Sequence, residues 1–451
     1  MREIHLNDVV RPGLQAVLAK GERLLDPISG IILSVIPNLF EKGDPTIYAY
    51  GTVASQSRSF DIDPQINHQG GASAYRDGAI AAAIGEAVER YCSSDCPTEE
   101  TVFATYNDVA ADAVHPSKFG LFSESQYQKP DFHFKPFTTD SPITWAKGYS
   151  LQRKRETLVP ACLTYLPFRI DRARGETLIC NGTSTGLACG NSIEEAICSG
   201  IGELVERDAL ACFWLNRLPL PHIEVDVASS IYKVFKEKFD LPGLRYFICD
   251  ATTNLGLPVV FTLLVGESNL GRMVNAGSQA NPSPQAAALK SMTEAAQGRP
   301  YLRFIVQQNP KKEYTGEFSS VNSFQDHAIF YTKAPQHFDA LDFLTSPRPT
   351  KRLSEMTDCS TGSVRGDIEF YLSQLRKHDI DVIVVDLTTP DIADVGFHVV
   401  RVITPGLQLL HGDHRFPFLG GWRLYQVVEA LGYQNGLARE EGLNPYPHPL
   451  P

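Results

Sequence analysis

The sequence predicts a mixed α+β fold whose core is built from two similar halves. Three observations carry that prediction. Strand-like runs and three long helical stretches are interspersed along the chain. The segment Ala79–Arg90 recurs as Ala196–Arg207, with eight of twelve positions identical. Each copy is preceded by a Gly-rich stretch that opens its helix. Residues 1–60 are expected as a short leader segment, and residues 61–451 as one large unit with a Pro-rich tail.

The elements follow in order. Leu14, Val17, Leu18, Leu24 and Leu25 fit one face of a helix that Pro27 ends. Ile47-Tyr48-Ala49-Tyr50 has strand composition. A loop at Gly70-Gly71-Ala72-Ser73 leads into an Ala-rich helix from about Asp77 to Ser93. Residues 95–165 are aromatic and broken by turn signals at Pro116, Pro130, Pro136 and Pro142. A second loop, Asn181-Gly182-Thr183-Ser184-Thr185-Gly186, continues through Gly190-Asn191-Ser192 into a helix reaching about Asn216, and Ser192 with Glu195 has capping-box spacing. Strands are expected within 243–265, a third helix over 284–299, and strands at Asp381–Asp386 and His398–Val402. Residues 310–360 read as a polar, loop-rich insertion. The alternating prolines of Asn444–Pro451 exclude a helix or an interior strand and predict an extended segment.

Composition narrows the classes of function. The chain has 451 residues, 43% of them hydrophobic and 21% charged, as in ordinary globular proteins. Its formal net charge of −11 argues against nucleic-acid binding, which rests on Lys and Arg neutralising phosphates. The amino terminus lacks the basic-then-apolar pattern of a signal peptide, and no apolar run is long enough to span a bilayer. The expected compartment is the cytoplasm. Nine scattered cysteines read as free or buried thiols of a reducing compartment rather than a disulfide framework.

The chemistry is concentrated in the repeated segment. Glu86 and Glu89, like Glu203 and Glu206, lie three apart and so share one helix face. Their neighbours are apolar or small, so both helices should be packed inside the protein. Two buried carboxylates one turn apart repel each other and cost desolvation unless a cation neutralises them. Four such carboxylates from two helices make a hard-oxygen site suited to Mg2+ bridging phosphates. Arg90 and Arg207 follow as partners for carboxylate or phosphate. A single Glu-x-x-Glu-Arg reads as a solvated acidic face; the duplication, the Gly-rich entries and the apolar flanks favour the buried site. Helix starts after Gly-rich loops also suit phosphate. In the third helix, Glu294, Gln297 and Arg299 could reach the same site or form a polar surface stripe.

Other motifs are weaker. No Walker loop, kinase signature, Gly-x-Ser-x-Gly or His-Glu-x-x-His occurs. Cys92-x-x-x-Cys96 has no second cysteine pair at zinc spacing. His411-Gly-Asp-His414 has the residue types to bind metal or substrate, but a loop with a satisfied histidine pair is the plainer reading.

The stretches Gly70–Arg90, Asn181–Arg207 and Gly277–Arg299, with Val385-Asp386-Leu387-Thr388-Thr389-Pro390 leading to Val402–Gly406, resemble the YcaO family of ATP-dependent peptide-modifying enzymes. The likeness covers about residues 65–451 and implies a YcaO-like ATP-binding fold using ATP and Mg2+. By that resemblance Glu86, Glu89, Glu203 and Glu206 hold Mg2+. Asn191 and Glu195 contact nucleotide or metal, Arg207 and Arg299 the phosphates, and Ser73, Arg76 and Gln297 the nucleotide. Ala188 stands where some relatives have a serine, so that contact is not carried over.

Azoline-forming members typically end in Pro-x-Pro-x-Pro, which Pro447-His448-Pro449-Leu450-Pro451 matches. The resemblance therefore implies a cyclodehydratase that turns Cys, Ser or Thr of a ribosomal precursor peptide into thiazoline or oxazoline. Its expected general base is the Pro451 carboxylate or His448. It further implies a separate E1-like leader-binding partner, a flavin-dependent dehydrogenase acting on the product, and a homodimer within a larger complex. Two alternatives remain open: a family member forming a thioamide or amidine, and a non-catalytic nucleotide-binding scaffold subunit.

Overall fold

The computed structural model describes residues 3–55, 68–314, 318–434 and 436–450. Three sheets and a set of helices make up the fold. The first sheet joins β1 (Ile32–Pro37), β2 (Tyr48–Ala54) and β3 (His68–Ser73), all antiparallel. A second holds β4 (Thr101–Ala104), β5 (Ile143–Ser150), β6 (Arg155–Pro160), β7 (Leu187–Gly190), β13 (Ile383–Asp386) and β14 (His398–Ile403), in the order β4-β5-β13-β14-β7 with β6 against β5. The third comprises β8 (His222–Glu224), β9 (Leu244–Asp250), β10 (Val259–Ser268), β11 (Gly271–Ala280) and β12 (Thr350–Arg352), in the order β11-β10-β9-β8-β12.

The helices in chain order are α1 (Leu14–Glu22), α2 (Arg76–Ser93), α3 (Tyr106–Val109), α4 (Glu124–Tyr127), α5 (Ile193–Leu215), α6 (Tyr232–Lys238), α7 (Pro284–Gln308), α8 (Phe324–Lys333), α9 (Asp342–Thr345), α10 (Val364–Arg376), α11 (Pro390–Val395) and α12 (Trp422–Ala430). None of the described helices is long and apolar enough to cross a membrane.

A strand feeding a long helix occurs three times: β3 into α2, β7 into α5, and β11 into α7. α5 is buried nearly all round, Glu206 and Asp208 included, and it packs against β14, β7, α10 and β11. The main hydrophobic core surrounds it, from Ala196 and Ile197 to Trp214 and Leu215.

Several expectations change. The Gly70–Ser73 stretch is a strand rather than a loop. Its glycines serve a close approach: a Cβ on Gly71 would sit 2.2 Å from the backbone nitrogen of Ala83, so only glycine lets α2 lie against β3. The third helix does not stop at residue 299 but runs through Pro300 to Gln308, because Leu302, Arg303 and Ile305 continue its buried face. Residues 310–360 are no loop-rich insertion. They contain α8, α9 and β12, and bury Phe330, Tyr331, Leu341 and Leu344 in the main core. The segment expected as a leader contributes β1 and β2 to the sheet that β3 completes.

Candidate active site

α2 and α5 are positioned by their apolar faces. Ala79, Ala83, Ile84, Ala87, Val88 and Cys92 recur at spacings of three and four and bury one side of α2. That leaves Glu86 and Glu89 facing the second half of the molecule. Ser192 caps α5 by accepting the Glu195 N–H at 3.2 Å. The reciprocal bond of a capping box goes one residue further back: Glu195 accepts the Asn191 backbone N–H at 3.0 Å and its amide Nδ2 at 3.1 Å.

Each acidic side chain is aimed by a specific donor. Glu86 accepts the Gly70 N–H at 3.0 Å, and Glu203 accepts the Gly186 N–H at 2.9 Å. The repeat thus extends beyond the helices, since a glycine 16 or 17 residues upstream orients the first carboxylate of each pair. Gly186 has φ +87°, a conformation that favours glycine. Glu89 accepts the Cys189 N–H at 2.9 Å, across from β7. Glu206 accepts the Ser278 hydroxyl, and Glu294 accepts the Ser278 N–H at 3.3 Å. All three strand–helix units therefore deliver acids to one place.

Arg90 lies 3.5 Å from Glu86, and Arg207 lies 3.5 Å from Glu203 and 3.2 Å from Glu206. These guanidiniums do not balance the carboxylates of Glu86, Glu89, Glu203, Glu206 and Glu294. Burial, with the Glu86 and Glu203 charges adding to it against Arg90, pushes the Glu89 carboxyl up to about 8. Burial likewise pushes up Glu206, with Glu294 and Glu203 nearby and Arg207 opposing. A cluster that resists ionising in full is one that a divalent cation would complete, and its all-oxygen donor set fits Mg2+. Glu86, Glu89, Glu203 and Glu206, with Glu294 beside them, would hold it.

Polar side chains also gather at the start of α5. Asn191 lies there, and Lys20 of α1 reaches its Oδ1 at 3.3 Å while donating to the Gly396 carbonyl at 2.8 Å. Gln297 of α7 lies against β3: its Nε2 would be 3.3 Å from a Cβ on Gly70, whose N–H holds Glu86.

Other residues singled out in the sequence have partners of their own. Arg299 points away, donating to the buried Asp44 at 2.6 Å and to the Glu267 carbonyl at 3.1 Å. Ser73 and Arg76 sit at the start of α2. Ser73 accepts the Tyr75 N–H at 3.2 Å, and the exposed Arg76 donates to the Tyr50 hydroxyl at 3.2 Å. Pro451 lies outside the described residues. His448 is 1% exposed, and burial lowers its imidazole to about 3, with the Arg207 charge contributing. The tail is tied down: Asn444 donates its N–H to the Leu215 carbonyl at 2.7 Å, Trp214 Nε1 donates to the Tyr446 carbonyl at 2.9 Å, and the Tyr331 hydroxyl donates to the Pro447 carbonyl at 2.8 Å.

Sequence reasoning missed Lys20, Ser278 and Arg401. Arg401 of β14 is 1% exposed and donates to the carbonyls of Thr164, Thr183 and Thr185 at 2.9, 2.9 and 2.7 Å. Burial lowers its guanidinium to about 9, and the nearby Glu203 and Glu89 oppose that. It lines a cavity with Lys118, Asn181, Thr183, Thr185 and Thr404. An arginine in an otherwise apolar strand was the available signal.

Residues 70–408 match a family described as YcaO cyclodehydratase, ATP- and Mg2+-binding. The chain belongs to the YcaO family. It is an ATP- and Mg2+-binding enzyme of that family. An uncharacterized protein of Methanothermobacter thermautotrophicus is 31% identical over 372 residues, 80% of this chain and 87% of that one. Among solved structures, a heterocyclase in complex with substrate and cofactor shares the fold with a TM-score of 0.80 and 24% identity, over 100% of this chain and 59% of its own. The chain thus spans about three-fifths of that heterocyclase's length. A YcaO from Methanopyrus kandleri bound with AMPPCP and Mg2+ has a TM-score of 0.59 and 17% identity, over 87% of this chain and 90% of that one.

Proposed function

We propose that this YcaO enzyme is a cyclodehydratase that makes azolines in a ribosomal precursor peptide. A Cys thiol, or a Ser or Thr hydroxyl, of the peptide attacks the preceding backbone carbonyl carbon. The carbonyl oxygen then takes the terminal phosphoryl group of ATP, releasing ADP. Loss of phosphate and of the amide proton leaves a C=N bond in the new ring, so the peptide loses one water overall. Phosphorylation matters because an amide oxygen is otherwise a poor leaving group.

The observation that carries the reading is the tail. Residues 444–450 pack against Trp214 and Leu215 at the C-terminal end of α5, the helix that also supplies Glu203, Glu206 and Arg207. A carboxylate cluster alone would serve any ATP-dependent member of the family. A Pro-rich terminus docked on the same helix suits the azoline-forming class. Bound Mg2+ would neutralise phosphate charge as it develops. The chain's own residues do the rest: Arg207 and Lys20 orient phosphate oxygens, and Asn191 and Gln297 position the nucleotide. A tail group takes the proton. His448 is buried with its Nε2 on the His411 carbonyl, which weighs toward the terminal carboxylate of Pro451 as that group.

The reading extends to a separate leader-binding partner chain of the E1-like kind. A flavin-dependent dehydrogenase would then act on the product.

Incubation of the enzyme with ATP, Mg2+, a candidate precursor and its partner, read by mass spectrometry, tests this. The expected result is a loss of about 18 Da per modified residue. ATP consumption without that loss would point to thioamide or amidine formation, and no ATP use to a scaffold subunit.

A further inference from the structure

His411 and His414 are not a satisfied pair. With His327 of α8 and His448 of the tail they form a buried group of four imidazoles. His327 is 0% exposed, His448 1% and His411 3%. The His327 and His448 rings stack with centroids 3.8 Å apart, and His411 meets them edge-on at 5.6 and 5.2 Å.

In His327, His448 and His414 the hydrogen bonding leaves one nitrogen used and the other unused. His327 Nδ1 bonds the His448 carbonyl at 3.0 Å, leaving Nε2 without a partner. His448 Nε2 bonds the His411 carbonyl at 2.8 Å, leaving Nδ1 with only a long 3.4 Å contact from the Leu450 N–H. His414 Nε2 bonds the Pro445 carbonyl at 3.0 Å, leaving Nδ1 unpartnered, and His411 Nδ1 is unpartnered as well. A buried nitrogen lone pair with no donor is costly. His327 and His448, each held by one nitrogen on a backbone carbonyl with the other turned inward, have the arrangement of metal-binding histidines. One nitrogen from each of His327, His411 and His448 lies within 4.8 Å of the others.

We propose that His327, His411 and His448 form a transition-metal site, with zinc as the fitting ion, separate from the Mg2+–nucleotide carboxylates. Imidazole donors select zinc over magnesium, which prefers oxygen. Zinc–nitrogen bonds of about 2.0–2.1 Å need the three nitrogens to close in by roughly 1 Å. That movement separates the stacked rings of His327 and His448. The three ligands come from α8, from the loop before α12 and from the tail, so the ion would clamp the last residues of the chain to the core. The site is independent of the reaction proposed above, because its binding can be read without turnover.

The test uses the full untagged chain, stripped with chelator, then given zinc chloride in the presence of excess Mg2+. One zinc per chain after desalting, with a rise in melting temperature, is expected. His411→Asn and His327→Gln should each weaken zinc binding at least tenfold and leave Mg–ADP binding unchanged. Zinc retained equally by both variants, or no zinc retained by the wild-type chain, overturns the proposal. Should a variant fail to fold, Co2+ added to the wild-type chain decides. Ligand-field bands of a four-coordinate nitrogen site support it, and thiolate charge-transfer bands or weak six-coordinate oxygen bands overturn it.

Discussion

Cys189 on β7 donates its backbone N–H to the carboxylate of Glu89 on α2 at 2.9 Å, so the second half of the protein holds an acid of the first. The two halves cannot move apart without releasing a residue of the candidate Mg2+ site. Glu89→Gln keeps the shape but removes the negative charge. Since burial, reinforced by Glu86 and Glu203, already favours the protonated form up to about pH 8, the metal-free fold should lose little. ATP turnover should fall on the order of 10²-fold, the size of effect for one well-placed electrostatic group. Steady-state ATPase rates beside thermal melts of metal-free protein check both halves of the prediction.

The same shift sets a pH dependence of stability. A carboxyl whose folded-state pKa is raised to about 8 from an ordinary 4.5 binds its proton more tightly when folded. Its contribution is fully present below the unfolded value and is lost as pH rises through about 8. Metal-free protein should therefore melt at lower temperature at alkaline pH than near neutrality. Mg2+ should raise the melting temperature most where the carboxylates are ionised. The double variant Glu89→Gln, Glu206→Gln should flatten the slope, and calorimetry across pH with chelator or Mg2+ reads all three. A slope unchanged in the double variant would place the titrating groups elsewhere.

Asp44 joins the amino-terminal segment to α7. It accepts from Arg299 at 2.6 Å and from Arg303 Nη2 at 2.5 Å, with all three side chains buried. Burial alone would raise its carboxyl; Arg303 and Arg299 outweigh that and hold it below the usual range. Asp44→Asn leaves Arg299 buried without a counter-charge and Arg303 with only the exposed Glu41, at 3.4 Å. The expected cost is about 3–5 kcal/mol by urea unfolding. Because Arg299 is occupied by this pair, KM for ATP should change less than stability does.

Lys20 offers the complementary case. Its ammonium spans Asn191 and the Gly396 carbonyl without a carboxylate partner at either. Lys20→Gln should raise KM for ATP roughly tenfold with kcat less affected, as expected when a ground-state phosphate contact is removed. Equal falls in kcat and kcat/KM would assign Lys20 to the transition state instead.

The four glutamates were legible because duplication, spacing and apolar flanks agree, and the fold class followed from the same pattern. Gly71 was misread because a glycine run looks like a loop until the helix that packs on it is known. Residues 310–360 misled because their apolar positions, such as Phe330 and Leu344, are dispersed among polar ones and find their partners only in three dimensions. Lys20 and Ser278 carried no local signal; distant elements bring them to Asn191 and Glu206. Arg299 had the right spacing on the right helix, yet Asp44, some 255 residues earlier in the chain, claims it.

The tail separates binding from chemistry. Its described hydrogen bonds go to Trp214, Leu215, Tyr331, His327, His411 and His414, and not to Asn191, Glu195 or the four glutamates. Deleting residues 447–451 should therefore leave Mg–ADP affinity within about threefold by isothermal titration, a shift of under 1 kcal/mol. Cyclisation should be abolished, because the group proposed to take the proton is gone. Loss of the buried Leu450 also lowers stability, so Leu450→Ala is the control, with an expected cost of about 2–5 kcal/mol and retained cyclisation below its melting point. Unchanged product formation by the truncated chain would remove the tail from the mechanism and, with it, the main support for azoline formation over the other amide activations.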